Sequence, residues 1–286
     1  MPNIQQFTDE VNNFFSGDYS ITGGTVIPSA DQIQFGNVGK EMDLAMLFID
    51  LRESTKIVDS FRRQTAAKMY KSFLWGVAKI ARMHDGELRS FNGDGVLVVF
   101  AGGERCEQAV TAAMQMSYFV QKVLRPKVNS YMINNRQLSN MSLSFGIGID
   151  TGRVLIVKGG VQGQNNNDLV WVGNATNYAV KLSNIKQNGQ IRIMPSVHAG
   201  LSDGNKFGLS NDLRVNMWHT ANFPIQISSL APPANPGISI LSYLQPPERP
   251  AQNSGLSGVL NSLIPISPTP PRIPSSYYHT QWYRSL

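Results

Sequence analysis

Two aspartates stand where a metal-dependent reaction would need them. Asp50 closes a short apolar run at 44–49, and Asp94 sits inside Asn92-Gly93-Asp94-Gly95, a tight-turn signal. If the strands flanking that turn lie beside the first strand, both carboxylates emerge on one edge of a sheet. Two carboxylates fixed by strand ends can bridge a pair of divalent cations about 3.5–4 Å apart. Hard ions such as Mg2+ or Mn2+ suit oxygen ligands and a triphosphate. The segment Leu51-Arg52-Glu53-Ser54-Thr55 then joins strand to helix. The free N–H groups and dipole of a helix start favour phosphate, and Arg52 lies in the loop itself. An ordinary turn aspartate, a strand-end cap and a plain helix cap would leave the same residues, so spacing alone holds both readings open.

The elements that must position these residues follow from apolar periodicity. The run 44–49 is short and continuously apolar, as a buried strand is. Ile57, Phe61, Tyr70, Phe73, Leu74, Val77 and Ile80 recur at helical spacing. They predict one long helix over about 55–83, with Ser54 and Thr55 as N-cap types and His84-Asp85-Gly86 as its stop. Segments 87–91 and 96–100 predict the arms of a hairpin. A second helix is expected over about 104–124, ended or bent by Pro126. Cys106 shares a face of it with Val110, Ala113 and Met114 and reads as core filler. Segments 143–149 and 154–157 read as a second hairpin around Asp150-Thr151-Gly152. A short strand at 169–172, a helix at 174–184 closed by Asn188-Gly189, and a strand at 190–194 follow. This order predicts an α+β fold, an antiparallel-rich sheet covered by helices on one face.

Composition narrows the function classes. The chain has 286 residues, 42% hydrophobic and 15% charged, enough apolar content for a real core rather than a disordered chain. A lone cysteine excludes an internal disulfide and a cysteine-based zinc site, and the histidines are too few and scattered for a histidine metal cluster. No apolar run approaches the roughly 20 residues of a membrane span. The N-terminus MPNIQQFTDEVNNFF lacks the basic flank and apolar stretch of a secretory signal, so a cytoplasmic protein without membrane contact is expected. Net charge of +6 favours anionic partners, though a plain basic surface would give the same value. Eleven of the 16 prolines fall between Pro232 and Pro274, which reads 226–286 as an extended tail without helices or central strands. Its aromatic end, Tyr277, Tyr278, Trp282 and Tyr283, needs burial, so docking is expected there.

F-I-D-L-R-E-S-T (48–55) and F-N-G-D-G-V-L-V-V-F (91–100) resemble the two metal-binding motifs of class III nucleotide cyclases. G-I-G-I-D-T-G (146–152) resembles their middle hairpin. W-V-G-N-A-T-N-Y-A-V-K-L (171–182) resembles the motif that carries their catalytic asparagine and arginine. The resemblance implies a ferredoxin-like cyclase domain at 40–225, between an N-terminal extension at 1–39 and the proline-rich extension at 226–286. It further implies two divalent cations per site, Mn2+ or Mg2+, held by Asp50, Asp94 and the Leu51 carbonyl. The ribose 3′-hydroxyl of a nucleoside triphosphate would then attack the α-phosphorus in line and expel pyrophosphate. Asn177 would place the ribose. Lys181, standing where the family has arginine, would balance charge on the α-phosphate. In this family the metal site and the asparagine helix come from different subunits, which implies a homodimer with shared active sites.

The base-reading positions depart from the purine pattern. Adenylate cyclases place lysine four residues before the second metal aspartate, where this chain has Ser90. Their partner aspartate sits three before the motif glycine, where this chain has Val170; Asp168 could substitute only with a shifted register. The divergent motifs are similar to those of the bacterial Pycsar pyrimidine cyclases, which make cyclic UMP or cyclic CMP for a separate antiphage effector. Arg89 could donate to uracil carbonyls, or be a plain strand arginine. Phe48 or Trp171 could narrow the pocket, Trp171 being better suited to a core or dimer interface. Arg153 and Lys158 could reach the triphosphate or be ordinary surface charge, and His84 has a helix-stop role rather than a catalytic one. The expectation is UTP to 3′,5′-cyclic UMP. CTP, an adenylate cyclase with a degenerate pocket, and a non-catalytic nucleotide-binding dimer are the alternatives. A nucleic-acid partner is disfavoured, because the strands are too apolar.

Overall fold

The computed structural model describes residues 3–134, 143–163, 166–186, 190–210, 213–222 and 276–282. In chain order the elements are α1 (Ile4–Ser16), β1 (Ser20–Gly23), β2 (Val38–Arg52), α2 (Ser54–Ser60), α3 (Arg63–Met83), β3 (Glu87–Asn92) and β4 (Gly95–Phe100). Next come α4 (Arg105–Tyr118), α5 (Arg125–Asn134), β5 (Ser144–Gly160), β6 (Asn167–Val172), α6 (Asn174–Asn184) and β7 (Ile191–Ile193). The remainder are α7 (Pro195–Ala199), α8 (Asp203–Lys206), β8 (Phe207–Ser210), β9 (Leu213–Asn216), β10 (His219–Asn222) and β11 (Ser276–Thr280). One sheet runs β10-β11-β7-β5-β2-β4-β3, with β1 added to β2 and β6 added to β5.

The spine of that sheet is the antiparallel pair β2 and β5, in register from Lys40↔Ile156 to Arg52↔Ser144. This corrects the second hairpin expected around Asp150-Thr151-Gly152, because β5 passes through those residues without turning. The Asp150 and Thr151 side chains that suggested a turn are satisfied by the neighbouring strand and by α7. The Asp150 carboxylate accepts from the Thr151 N–H at 2.7 Å and the Ser196 hydroxyl at 2.8 Å, and the Thr151 hydroxyl donates to the Leu44 carbonyl at 3.0 Å.

Two further expectations are corrected and a third is narrowed. The long first helix is two, α2 and α3, because Phe61 takes an extended conformation (φ −126°, ψ 157°) and turns its ring into the core. The residue at the N-cap of α2 is Glu53, in a left-handed conformation (φ 58°), rather than Ser54 or Thr55. Of the two outcomes expected at Pro126, a stop and a bend, the stop is not found: a π-helical turn at Phe119–Leu124 links α4 to α5, and the Arg125 N–H bonds back to the Val120 carbonyl. That wider turn accommodates a proline that an unbroken α-helical ladder would exclude. The stop after α3 is as expected. Asp85, with φ 57°, closes it while the Gly86 N–H reaches the Ala81 carbonyl at 2.9 Å. Asn188-Gly189, expected to close α6, lie outside the described residues, as does Tyr283.

Helices cover both faces rather than one. Leu47, Ile49, Val98, Phe145 and Ile147 pack with Phe73, Val77, Val110 and Met114 of α3 and α4. Leu44, Met46, Phe48, Leu97 and Val154 pack on the opposite face with Ala175 and Ala179 of α6. Cys106 is buried in the first of these cores, consistent with filler. Despite the prolines before it, β11 is an interior strand, pairing Tyr278 with Ile193 and Thr280 with Ile191 of β7. Tyr277 is fully buried, and Tyr278 stacks on His198 at 4.0 Å. Among the described residues no helix is long and apolar enough to cross a membrane.

The docked strand yields a stability prediction. Tyr277→Ala should lower unfolding free energy by roughly 3–5 kcal/mol, the usual range for truncating a large buried aromatic. Urea unfolding reads it directly, and an unchanged midpoint would show that β11 is no part of the cooperative core.

Candidate active site

Side chains alternate along a strand, so Phe48, Asp50 and Arg52 all leave β2 on the α6 face. β4 pairs with β2 only as far as Ile49↔Val96, which leaves the Gly93-Asp94 turn overhanging Asp50. Gly93 supplies the positive φ of the turn, 65°. At Gly95 a Cβ would lie 2.6 Å from the Phe48 ring and 3.2 Å from Asp50 Oδ1. The missing side chain is what lets the turn close down on the first aspartate.

The two carboxylates consequently meet. Asp94 lies close enough to raise the Asp50 pKa through its charge and through hydrogen bonding, and Asp94 Oδ2 is buried without a hydrogen-bond partner. Burial pushes the Asp50 carboxyl up to about 6, helped by the charge and hydrogen bond of Asp94 and opposed by the Leu51 N–H and Arg52. Tyr70 borders the pair. Its hydroxyl donates to the Ser54 carbonyl at 3.0 Å, and its own pKa is raised by burial and then by both aspartates.

A crowded carboxylate pair with an orphaned oxygen fits divalent cations. Among the described residues no three or more His, Cys, Asp or Glu side chains cluster, so two carboxylates are what this site offers. Main-chain oxygen such as that of Leu51, water and substrate phosphate would complete the shell, as is usual for Mg2+.

The other expected site residues sort into three groups. Phe48 and Trp171 are buried in one apolar cluster, and the Arg89 guanidinium stands 5.9 Å from the Trp171 ring centre while pairing with Glu87. Arg89 sits at a β-bulge next to Ser90, and its Nε is buried without a hydrogen-bond partner. The structure thus brings Phe48, Arg89, Ser90 and Trp171 to one region near the aspartates' strand pair. Ser54 is half-buried and Thr55 exposed at the start of α2.

Arg52 is engaged within its own chain. Its guanidinium does not hang free in a phosphate loop: Nη1 donates to the Lys186 carbonyl at 3.1 Å and Nη2 to that of Ile185. Arg153 pairs loosely with Glu41 at 3.8 Å, and Lys158 lies over the Phe35 ring at 4.8 Å. The Asp168 carboxylate accepts from the neighbouring Leu169 N–H at 2.7 Å.

Asn177 and Lys181 are exposed one turn apart on α6, opposite its buried stripe of Ala175, Tyr178, Ala179 and Leu182. Lys181 Nζ stands 5.4 Å over the Tyr178 ring. Among the described residues no hydrogen bond or ion pair joins either of them to Asp50 or Asp94. Sequence reasoning missed Gly95 and Tyr70 as parts of the site. The glycine after the aspartate was a usable signal, whereas Tyr70 looked like any other apolar position of a helix.

Residues 38–221 match the family described as Adenylate and Guanylate cyclase catalytic domain. Among curated relatives, "Uridylate cyclase" of Xanthomonas perforans is 31% identical over 75% of this chain and 92% of its own. "Uridylate cyclase" of Burkholderia cepacia is 30% identical over 73% of this chain and 86% of its own. "Cytidylate cyclase" of Staphylococcus aureus is 26% identical over 69% of this chain and 47% of its own. The solved structure of the guanylyl cyclase Cya2 shares the fold, with a TM-score of 0.51 and 22% identity over 65% of this chain and 87% of that one. With the family match extending over well over half of its length and the aspartate pair in place, the chain belongs to the class III nucleotide cyclases.

Proposed function

We propose that this chain is a uridylate cyclase, converting UTP to 3′,5′-cyclic UMP and pyrophosphate as a homodimer with two shared sites. The observation that carries the reading is the Asp50–Asp94 contact, held in a chain that is similar over most of its length to two proteins named uridylate cyclase. Cyclic UMP would then be a second messenger, read by a separate effector in antiphage defence.

Asp50, Asp94 and the Leu51 carbonyl would hold two divalent cations, Mn2+ or Mg2+. Bound there, the cations would neutralise the triphosphate and ease loss of the 3′-hydroxyl proton. The exposed Asn177 and Lys181 of α6 would serve the second subunit's aspartates, Asn177 by fixing the ribose and Lys181 by balancing charge on the α-phosphate. Lysine gives a point charge there, without the two-pronged hydrogen bonding of arginine. Ser54 and Thr55, at the start of α2, border the phosphates. Arg89 would donate to the uracil carbonyls, with Ser90 beside it and Phe48 and Trp171 limiting the pocket width. CTP is the second reading, favoured by the cytidylate cyclase relative, but the amino group of cytosine meets a donor where it needs an acceptor.

The direct test offers each of the four ribonucleoside triphosphates separately with Mn2+ or Mg2+ and identifies the product by mass spectrometry. Cyclic UMP is expected, and Asp50→Ala or Asp94→Ala should cut its formation at least about 100-fold while the dimer stays intact. Cyclic AMP as the main product, or full activity in either variant, would contradict the assignment.

The crowded carboxylates also carry a pH signature in the presence of a chelator. The folded pKa of Asp50, about 6, lies above its ordinary 3.8, so its favourable contribution is complete below 3.8 and lost as pH rises through 6. Asp50→Asn should therefore be more stable than the native chain near neutral pH, by roughly 1–2 kcal/mol once solvent screening of a half-buried group is allowed for. The gap should close by about pH 4, where the native carboxyl is largely protonated too. Equal melting temperatures at both pH values would show that the pair is not crowded.

A further inference from the structure

We infer that Arg52 is a positioning residue: it ties the aspartate-bearing strand of one subunit to the helix that completes the other subunit's site, and it does not bind the nucleotide phosphates. The inference rests on the shared-site reading above.

Arg52 lies two residues beyond Asp50 and therefore on the same face of β2, yet both ends of its guanidinium fork are committed to the main chain. Nη1 donates to the Lys186 carbonyl at 3.1 Å and Nη2 to the Ile185 carbonyl. Those carbonyls lie just past Asn184, where α6 ends and its dipole leaves partial negative charge. A planar cation with two parallel donors matches such a pair of oxygens. The side chain is also partly removed from water. Burial lowers its pKa, and the Asp50 charge acts in the opposite direction.

What Arg52 grips cannot slide independently. A Cβ at Gly148 would fall 2.0 Å from the Ala179 carbonyl oxygen, and one at Gly146 would fall 2.0 Å from that of Ser183 and 2.9 Å from Arg52 Nη2. The α6 backbone and the Arg52 guanidinium therefore both rest directly on the bare backbone of β5. Lys181 is one turn before Ile185 and Asn177 one turn before that, so a shift at the clamped end moves both. In the shared-site dimer those two side chains act on the other subunit's aspartates. An arginine two residues from Asp50 in one site would thus set the geometry of the opposite site.

Mixed dimers separate this from a phosphate contact. Asp50→Ala and Lys181→Ala chains carrying different tags, co-expressed and purified through both tags, retain one intact site. Its aspartates come from the Lys181→Ala chain and its α6 from the Asp50→Ala chain. Arg52→Met is then added to one chain at a time, and cyclic nucleotide release is measured.

If Arg52 acts through α6, the substitution in the Asp50→Ala chain should lower kcat about 100-fold, the scale of a 1 Å misplacement, with KM for the nucleotide little changed. The same substitution in the Lys181→Ala chain should do less. The opposite order, equal effects or no effect would overturn the inference and make Arg52 either a direct ligand or incidental. Should the Met chain fail to assemble, Arg52→Lys keeps the charge without the fork and should show the same order with a smaller loss. An inactive parent mixed dimer, with both tags present, would sink the shared-site reading and this inference with it. An active parent with the wrong order sinks the inference alone.

Discussion

Two carboxylates pressed together in a half-buried space repel each other unless a proton or a cation lies between them. Asp50 and Asp94 are in that position, and much of the surrounding fold serves to keep them there. The β2–β5 register holds the strand that carries Asp50, and a two-residue turn carries Asp94 over it. Gly95 removes the side chain that would keep them apart. The energetic consequence is local. In the proposed metal site a pair strained without cations would gain from binding them, so the cost of crowding would become affinity for divalent ions.

The same face of the sheet carries α6, on which Asn177 and Lys181 are exposed. Gly146 and Gly148 let α6 lie directly on β5, which fixes the height of the helix, and Arg52 fixes its end. Asn177 and Lys181 are left pointing to solvent with no partner among their own subunit's aspartates. A helix so firmly seated, with Asn177 and Lys181 turned outward, would suit the proposed action on a second copy of the chain. β11 extends the sheet beyond β7, so the end of the chain belongs to the body that holds the site.

The fold class and the approach of the two aspartates were legible in the sequence, whereas several elements around them were not, and the difference is physical. Asp50 and Asp94 sit at the ends of local signals, an apolar run and an Asn-Gly-Asp-Gly turn, whose outcome depends on neighbours in sequence. The α6 helix was readable for the same reason. What was not readable depends on partners far away. Asp150-Thr151-Gly152 carries turn-forming residues that stay in a strand because Ser196 and Leu44 satisfy them. The carbonyls that Arg52 bonds could not be foreseen, because they lie 133 and 134 residues further along the chain. Phe61 broke a helix that periodicity joined, since core burial of its ring outweighs one more helical turn. Proline density hid β11, which begins only after Pro274.

Cation binding by the aspartate pair is the step on which the proposed chemistry depends. The direct measurement is Mn2+ uptake, followed by calorimetry and electron paramagnetic resonance with a UTP analogue lacking the 3′-hydroxyl. Two Mn2+ per protomer, magnetically coupled as ions about 3.5–4 Å apart should be, and lost in Asp50→Asn, is the predicted result. Uptake undiminished by Asp50→Asn, or no uptake in the intact protein, would contradict it.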